Sequence, residues 1–213
     1  MKSRKVVTKS SRKFCGNYPS KKLGRIVEWE SLLERDAILL FEFSRGIKSY
    51  QEQPEQILYE QESVLRRYYP DFSLTLNNGA VIYVEVKPIS KFSSLELVLK
   101  LNAVIKHYEM IGNDFKILVD ESIRIEPRLT NLKRLARVQH YQNDLEDIHQ
   151  QAIKLLKSGS VYSVQSLSKI IGVIPTLVLI ARGVICCNLS IDLFSAVNFL
   201  RLPVEADHDA LFI

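Results

Sequence analysis

The chain has 213 residues, 29 Lys and Arg against 24 Asp and Glu, and 46% hydrophobic residues. That is enough to bury the core of one large domain or two small ones, and the apolar share excludes disorder throughout. Eight glycines and three cysteines exclude collagen-like and disulfide-framework classes, and the odd cysteine count, with Cys186 beside Cys187, fits a reducing cytoplasm.

Charge is uneven along the chain. Residues 1–27 carry nine basic residues and no acid, Lys9, Arg12, Lys13, Lys21, Lys22 and Arg25 among them. Residues 28–126 hold 11 basic against 17 acidic residues, and residues 127–213 hold 9 against 7. The first segment mixes its charges with Ser, Thr and Asn, so it is expected to be poorly ordered alone and drawn to a polyanion. A solvated tail is the competing reading.

Glu28 to Phe43 reads as a helix, with Leu33, Ala37, Leu40 and Phe41 on one stripe. Extended pieces follow at Ile47–Gln51, Gln56–Gln61 and Val64–Tyr69. Asp71–Leu76 and Ala80–Lys87 are strand-like runs joined by Asn77-Asn78-Gly79, a strong hairpin signal. Ser93–Ile111 is a long helix closed by Gly112, and Phe115–Val119 a short apolar strand. The expected class for residues 28–126 is therefore α/β.

From Pro127 the pattern becomes helical: Leu129–Val138, Leu145–Leu156, Ser163–Ile171, Pro175–Ala181 and Asp192–Leu200, with a β-like run at Val184–Leu189. Two short helices about Gly172 and then a strand suggest a winged-helix-like domain over 127–213; a bundle that only packs is the alternative. The longest uncharged apolar stretch, Ile170 to Ala181, is broken by Gly172 and Pro175, and a spanning helix needs about 20 residues. The N-terminal charges precede no apolar secretory core. A cytoplasmic protein with no membrane partner is expected.

The hairpin carries the chemistry. A three-residue loop centred on Asn78 pairs Leu76 with Ala80, and counting back sets Asp71 opposite Glu85. Opposed residues have Cβ atoms about 4.5–5.5 Å apart, so two like charges lie side by side. Protonation, exposure to water or a cation would relieve them. Lys87, on the same face as Glu85, supplies part of a cation; hard oxygen donors of this kind suit Mg²⁺ or Mn²⁺ for the rest. Glu34 lies at the edge of the first helix's apolar stripe and reaches whatever that stripe packs against, unless it is an ordinary boundary glutamate.

Pro70-Asp71, a 13-residue gap and Glu85-Val86-Lys87 resemble the PD-(D/E)xK nuclease core. With Glu30-Ser31-Leu32-Leu33-Glu34-Arg35-Asp36, Phe41-Glu42-Phe43, Ile47 to Pro54 and Tyr69-Pro70-Asp71-Phe72, the chain looks like the TnsA endonuclease subunit of heteromeric bacterial transposases. The resemblance implies a restriction-endonuclease-like mixed sheet flanked by helices, followed by a smaller winged-helix-like domain. It implies Glu34, Asp71, Glu85 and Lys87 as catalytic residues, and a magnesium site (manganese substituting) formed by Glu34, Asp71, Glu85 and the Val86 carbonyl. The implied partners are double-stranded DNA at transposon ends, a DDE-type transposase subunit and an AAA+ regulator ATPase, in the bacterial cytoplasm or on the nucleoid. The chain itself has no P-loop.

With the basic residues of the first segment, Arg66, Arg67 and Lys91 are candidate phosphate contacts. Two rival readings stand: a free-standing restriction- or resolvase-type nuclease of the same fold, and a non-enzymatic DNA-binding adaptor. The histidines and cysteines lack zinc spacing.

Overall fold

The computed structural model describes residues 14–213. It divides into two compact units, one ending at Ile123 but regaining Asp209–Ile213, the other Arg124–His208. The division thus falls three residues before the expected 126/127 boundary, and the last five residues belong with the first unit. Gly46 N–H donates to the Ala210 carbonyl (2.9 Å), and Phe212 N–H to Ser44 Oγ (2.9 Å). A Cβ on Gly46 would lie 2.8 Å from the Asp209 carbonyl oxygen, so this return needs a glycine.

The first unit runs β1 (Gly16–Ser20), β2 (Arg25–Trp29), α1 (Leu32–Phe43), β3 (Ile47–Glu52), β4 (Ile57–Gln61), β5 (Val64–Tyr68), β6 (Phe72–Leu76), β7 (Val81–Lys87), α2 (Leu95–Met110), β8 (Asp114–Val119) and α3 (Asp120–Ile123). Its central sheet has the order β3-β6-β7-β8. β3 with β6 and β6 with β7 are antiparallel, β7 with β8 parallel. The sheet is therefore mixed, and α2 is the crossover that a parallel pair requires. This is the expected α/β class, a mixed sheet flanked by helices.

Each sheet face has its own cover. Phe72, Leu74, Ile82 and Val84 are buried, and α1 packs on their side, with Phe41 edge-on to Phe72 at 5.2 Å between ring centres. On the alternate face Tyr83 lies 4.5 Å from the Tyr108 ring of α2. There Tyr59, Tyr68, Leu101, Val104 and Tyr108 form a buried cluster, joined by Phe92, Phe115 and Ile117. β4 and β5 form a separate two-stranded ribbon, and its buried Tyr59 and Tyr68 belong to this cluster.

The first correction concerns the basic segment, expected to be poorly ordered through residue 27. From Gly16 it forms the β1–β2 hairpin, and the anchor is a buried carboxylate. Glu42 of α1 accepts from Ser20 Oγ (2.6 Å), Lys21 N (2.8 Å), Lys22 N (2.9 Å) and Tyr50 Oη (2.8 Å). Lys22 Nζ donates to the carbonyls of Phe41, Ser44 and Ile47 at 2.6–2.7 Å, closing the C-terminal end of α1. Arg25 forks onto the buried Glu52 at 2.7 and 2.6 Å. Consequently α1 starts at Leu32, not Glu28, capped by Ser31. Lys9, Arg12 and Lys13 lie outside the described residues.

The second unit holds α4 (Arg128–Val138), α5 (Glu146–Lys157), α6 (Val164–Ile171) and α7 (Val173–Ala181). Ser163 caps α6 in a reciprocal box with Ser166. Single antiparallel bridges join Ser163 to Phe199 and Cys186 to Arg201. The expected helix over Asp192–Leu200 is absent: buried Asn198 Nδ2 donates to the carbonyls of Asn188, Ile191 and Asp192 instead. Buried Asn131 likewise donates to Leu189 and Ile191. Side-chain amides compete with the helical ladder for these carbonyls. Among the described residues no helix is long and apolar enough to cross a membrane.

The Lys22 cap predicts that Lys22→Met, which keeps the stem and removes three charged hydrogen bonds, costs about 2 kcal/mol. Urea unfolding should show a lower midpoint at unchanged slope; a loss below about 0.5 kcal/mol would contradict the assignment.

Candidate active site

The hairpin register puts two acids together. β6 and β7 pair Phe72 with Val84 and Leu74 with Ile82. The three-residue loop closes through Leu76 N–H to the Ala80 carbonyl at 2.8 Å. Asp71 and Glu85 extend that register by one pair. Asp71 Oδ2 accepts from Val86 N–H (2.8 Å) and lies 3.4 Å from Lys87 Nζ. Its other oxygen takes no hydrogen bond among the described residues. Glu85, 5% exposed, sets Oε1 at 2.5 Å from Lys87 Nζ and accepts from Tyr68 Oη at Oε2, also 2.5 Å. One ammonium therefore sits between two carboxylates on a buried strand.

Glu34 arrives differently. It is the third residue of α1, and Ser31 Oγ accepts from its N–H (3.1 Å). Its carboxylate in turn accepts from Ser31 Oγ (2.9 Å) and Glu30 N–H (2.8 Å). This is a serine N-cap reinforced by the carboxylate three residues on, which reaches back to the residue before the cap. α1 covers the sheet face opposite the one carrying Tyr83 and Glu85. Among the described residues no group of three or more His, Cys, Asp or Glu is spaced to hold a metal ion. Glu34 is coupled to Asp71 through its field.

The electrostatics record this crowding. Burial, and next the Asp71 charge, push Glu34 up to about 7. Burial and Asp71 also raise Glu85, against Lys87 and Tyr68, which favour its charged form. Burial disfavours the Lys87 ammonium, but Asp71 and Glu85 outweigh it and hold its pKa above the ordinary lysine value. Two carboxyls share one lysine, and a third, Glu34, adds its field at Asp71. The donor set, hard oxygens with surplus negative charge, suits a divalent cation such as Mg²⁺ in chemistry and charge.

The other candidates divide. Lys22 and Arg25 are committed inside the fold to backbone carbonyls and to Glu52, which corrects the expectation that they contact DNA. Lys21, Arg66, Arg67 and Lys91 are exposed. Two contributors were missed. Tyr68 holds Glu85 across 17 positions of sequence, and no sequence pattern marks it. Gln53, buried with φ 46°, donates its N–H to the Asp71 carbonyl (2.9 Å); a left-handed glutamine leaves no sequence signal either.

The site is a lysine-bridged acid pair on a hairpin of a mixed sheet between helices. Residues 44–120, the stretch that holds Asp71, Glu85 and Lys87, match the family model described as TnsA-like endonuclease N terminal, so this part of the chain is similar to a TnsA-like endonuclease domain. Glu34 lies N-terminal to the matched stretch. No curated protein matches the chain.

Glu34 gives a pH test. Its folded value of about 7 lies above the ordinary 4.5, so between those values the folded state binds more protons than the unfolded one. Stability from this group falls as pH rises across that window, by at most about 3 kcal/mol. Urea titrations from pH 5 to 8 should show a shallower decline for Glu34→Gln than for the wild type; parallel curves would contradict the burial of this carboxyl beside Asp71.

Proposed function

We propose that the chain is the endonuclease subunit of a heteromeric transposase, hydrolysing the 5′ strands at the ends of the element. The observation that carries this reading is the Lys87-bridged pair of Asp71 and Glu85 inside the TnsA-like stretch. A magnesium ion, with manganese as substitute, would be held by Asp71, Glu85 and the Val86 carbonyl, with Glu34 contributing charge from the α1 side. When bound, it supplies a water of lowered pKa and offsets charge on the scissile phosphate.

The chain's own groups supply the rest. Val86 N–H fixes Asp71 Oδ2, so the acid pair is set before DNA arrives. Lys87 stays protonated and presents an ammonium beside both acids, where it can orient the attacking water or meet charge developing on phosphate oxygen. Cleavage leaves a 5′-phosphate and a 3′-hydroxyl. Exposed Arg66, Arg67, Lys91 and Lys21 are phosphate contacts in this reading.

The partners are double-stranded DNA at the element's ends, a DDE-type transposase that processes the 3′ ends, and an AAA+ regulator ATPase. The second unit supports a winged-helix-like reading through the turn at Gly172 and the bridges Ser163–Phe199 and Cys186–Arg201. Thr176 to Ile180 of α7 are buried, however, and exposed Val173 and Ile174 at its start are apolar. Side chains of that kind do not read base edges, so contact with a partner protein suits this unit better.

In an assay with all partners and end-labelled DNA, Asp71→Ala and Lys87→Ala should each abolish 5′-strand cleavage while unfolding normally. End cleavage by either variant at the wild-type rate would defeat the assignment. The isolated chain should cut plain duplex poorly, because assembly completes the site; robust metal-dependent digestion by the pure protein would select the free-standing nuclease.

A further inference from the structure

Tyr68 ends β5, in a ribbon hydrogen-bonded to neither neighbour of Glu85, yet its hydroxyl reaches across to that carboxylate. The ring is fixed on several sides. Tyr59 stands edge-on at 6.1 Å, Phe115 is tilted at 6.1 Å, and Lys100 Nζ lies 5.0 Å from the ring centre. The side chain is 3% exposed. The ring therefore has little freedom to swing, and its hydroxyl is a fixed donor.

A glutamate needs such a donor here. Its terminal torsion is broad, so the plane of a carboxylate at the end of that chain can turn. Tyr68 occupies Oε2, which leaves Oε1 on the side of Lys87, the side of Asp71. We infer that Tyr68 is a positioning residue, acting through Glu85 to fix the plane of its carboxylate so that one oxygen is turned toward Lys87 and Asp71, where a divalent cation and the reacting phosphate would be met. The inference rests on the metal-dependent nuclease reading and goes beyond it by assigning work to a residue outside the motif.

The test is Tyr68→Phe in the full chain, which keeps the ring and removes only the donor. Calorimetric titration with Mn²⁺ alone, and end cleavage with all partners across a Mn²⁺ series, are compared with wild type. Loss of a group that orients a ligand typically costs about 10- to 100-fold in metal affinity. The variant should bind Mn²⁺ at least about tenfold more weakly. Its cleavage should be lost at low Mn²⁺ and recovered at saturating Mn²⁺, a split that a loosened core would not produce. Unchanged Mn²⁺ affinity overturns the role of Tyr68, whether cleavage is unaltered or uniformly reduced. A wild-type chain that binds no Mn²⁺ overturns the metal reading itself and this inference with it.

Discussion

Two carboxylates opposed across an antiparallel hairpin repel, and that repulsion organises the first unit. Asp71 and Glu85 occupy one register pair beside a buried strand, where solvent screens little. The fold answers with one ammonium, one backbone N–H and one phenol: Lys87 Nζ between the acids, Val86 N–H on Asp71 and Tyr68 Oη on Glu85. A third acid, Glu34, is raised by its burial first and by the Asp71 charge second. An arrangement serving stability alone would do better with an apolar pair. The surplus of negative charge has a use if a cation and a phosphate enter together.

The rest of the unit holds that hairpin in place. α1 seals one face through Phe41 on Phe72, and the aromatic cluster under α2 seals the other. Glu42 and Lys22 tie the β1–β2 hairpin to the end of α1. Ser31 and Glu34 start that helix through reciprocal hydrogen bonds. Glu42 and Glu34, two of the three buried acids of α1, are thus held differently. Glu42 is satisfied by four donors, whereas Glu34 is only partly satisfied beside a like charge.

What the sequence made readable was local. Asn77-Asn78-Gly79 fixed the loop length, hence the register, hence the opposition of Asp71 and Glu85 and the common face of Glu85 and Lys87. The strands from Ile47 to Val119 and the helix capped by Ser94 were legible from alternation and caps. The illegible parts depend on distant partners. The order of residues 16–29 comes from Glu42 and Glu52, some 20 to 27 positions away. Nothing in a stripe of Leu33, Ala37, Leu40 and Phe41 says which sheet face it covers, so how near Glu34 comes to Asp71 and Glu85 could not be read from the sequence. The Ser31-to-Glu34 spacing did carry a capping-box signal that sets the start of α1 at Leu32 rather than Glu28. In the second unit, Asn131 and Asn198 take carbonyls that helical periodicity alone would have assigned to the ladder.

The central claim is that the acid pair bridged by Lys87 is a divalent-cation site. Anomalous diffraction from a crystal of the full chain soaked in Mn²⁺ tests it most directly. A manganese peak within about 2.3 Å of oxygens from both Asp71 and Glu85 is the expected result. Saturating Mn²⁺ that leaves the ammonium of Lys87 between the two carboxylates, with no metal peak on either, would contradict it.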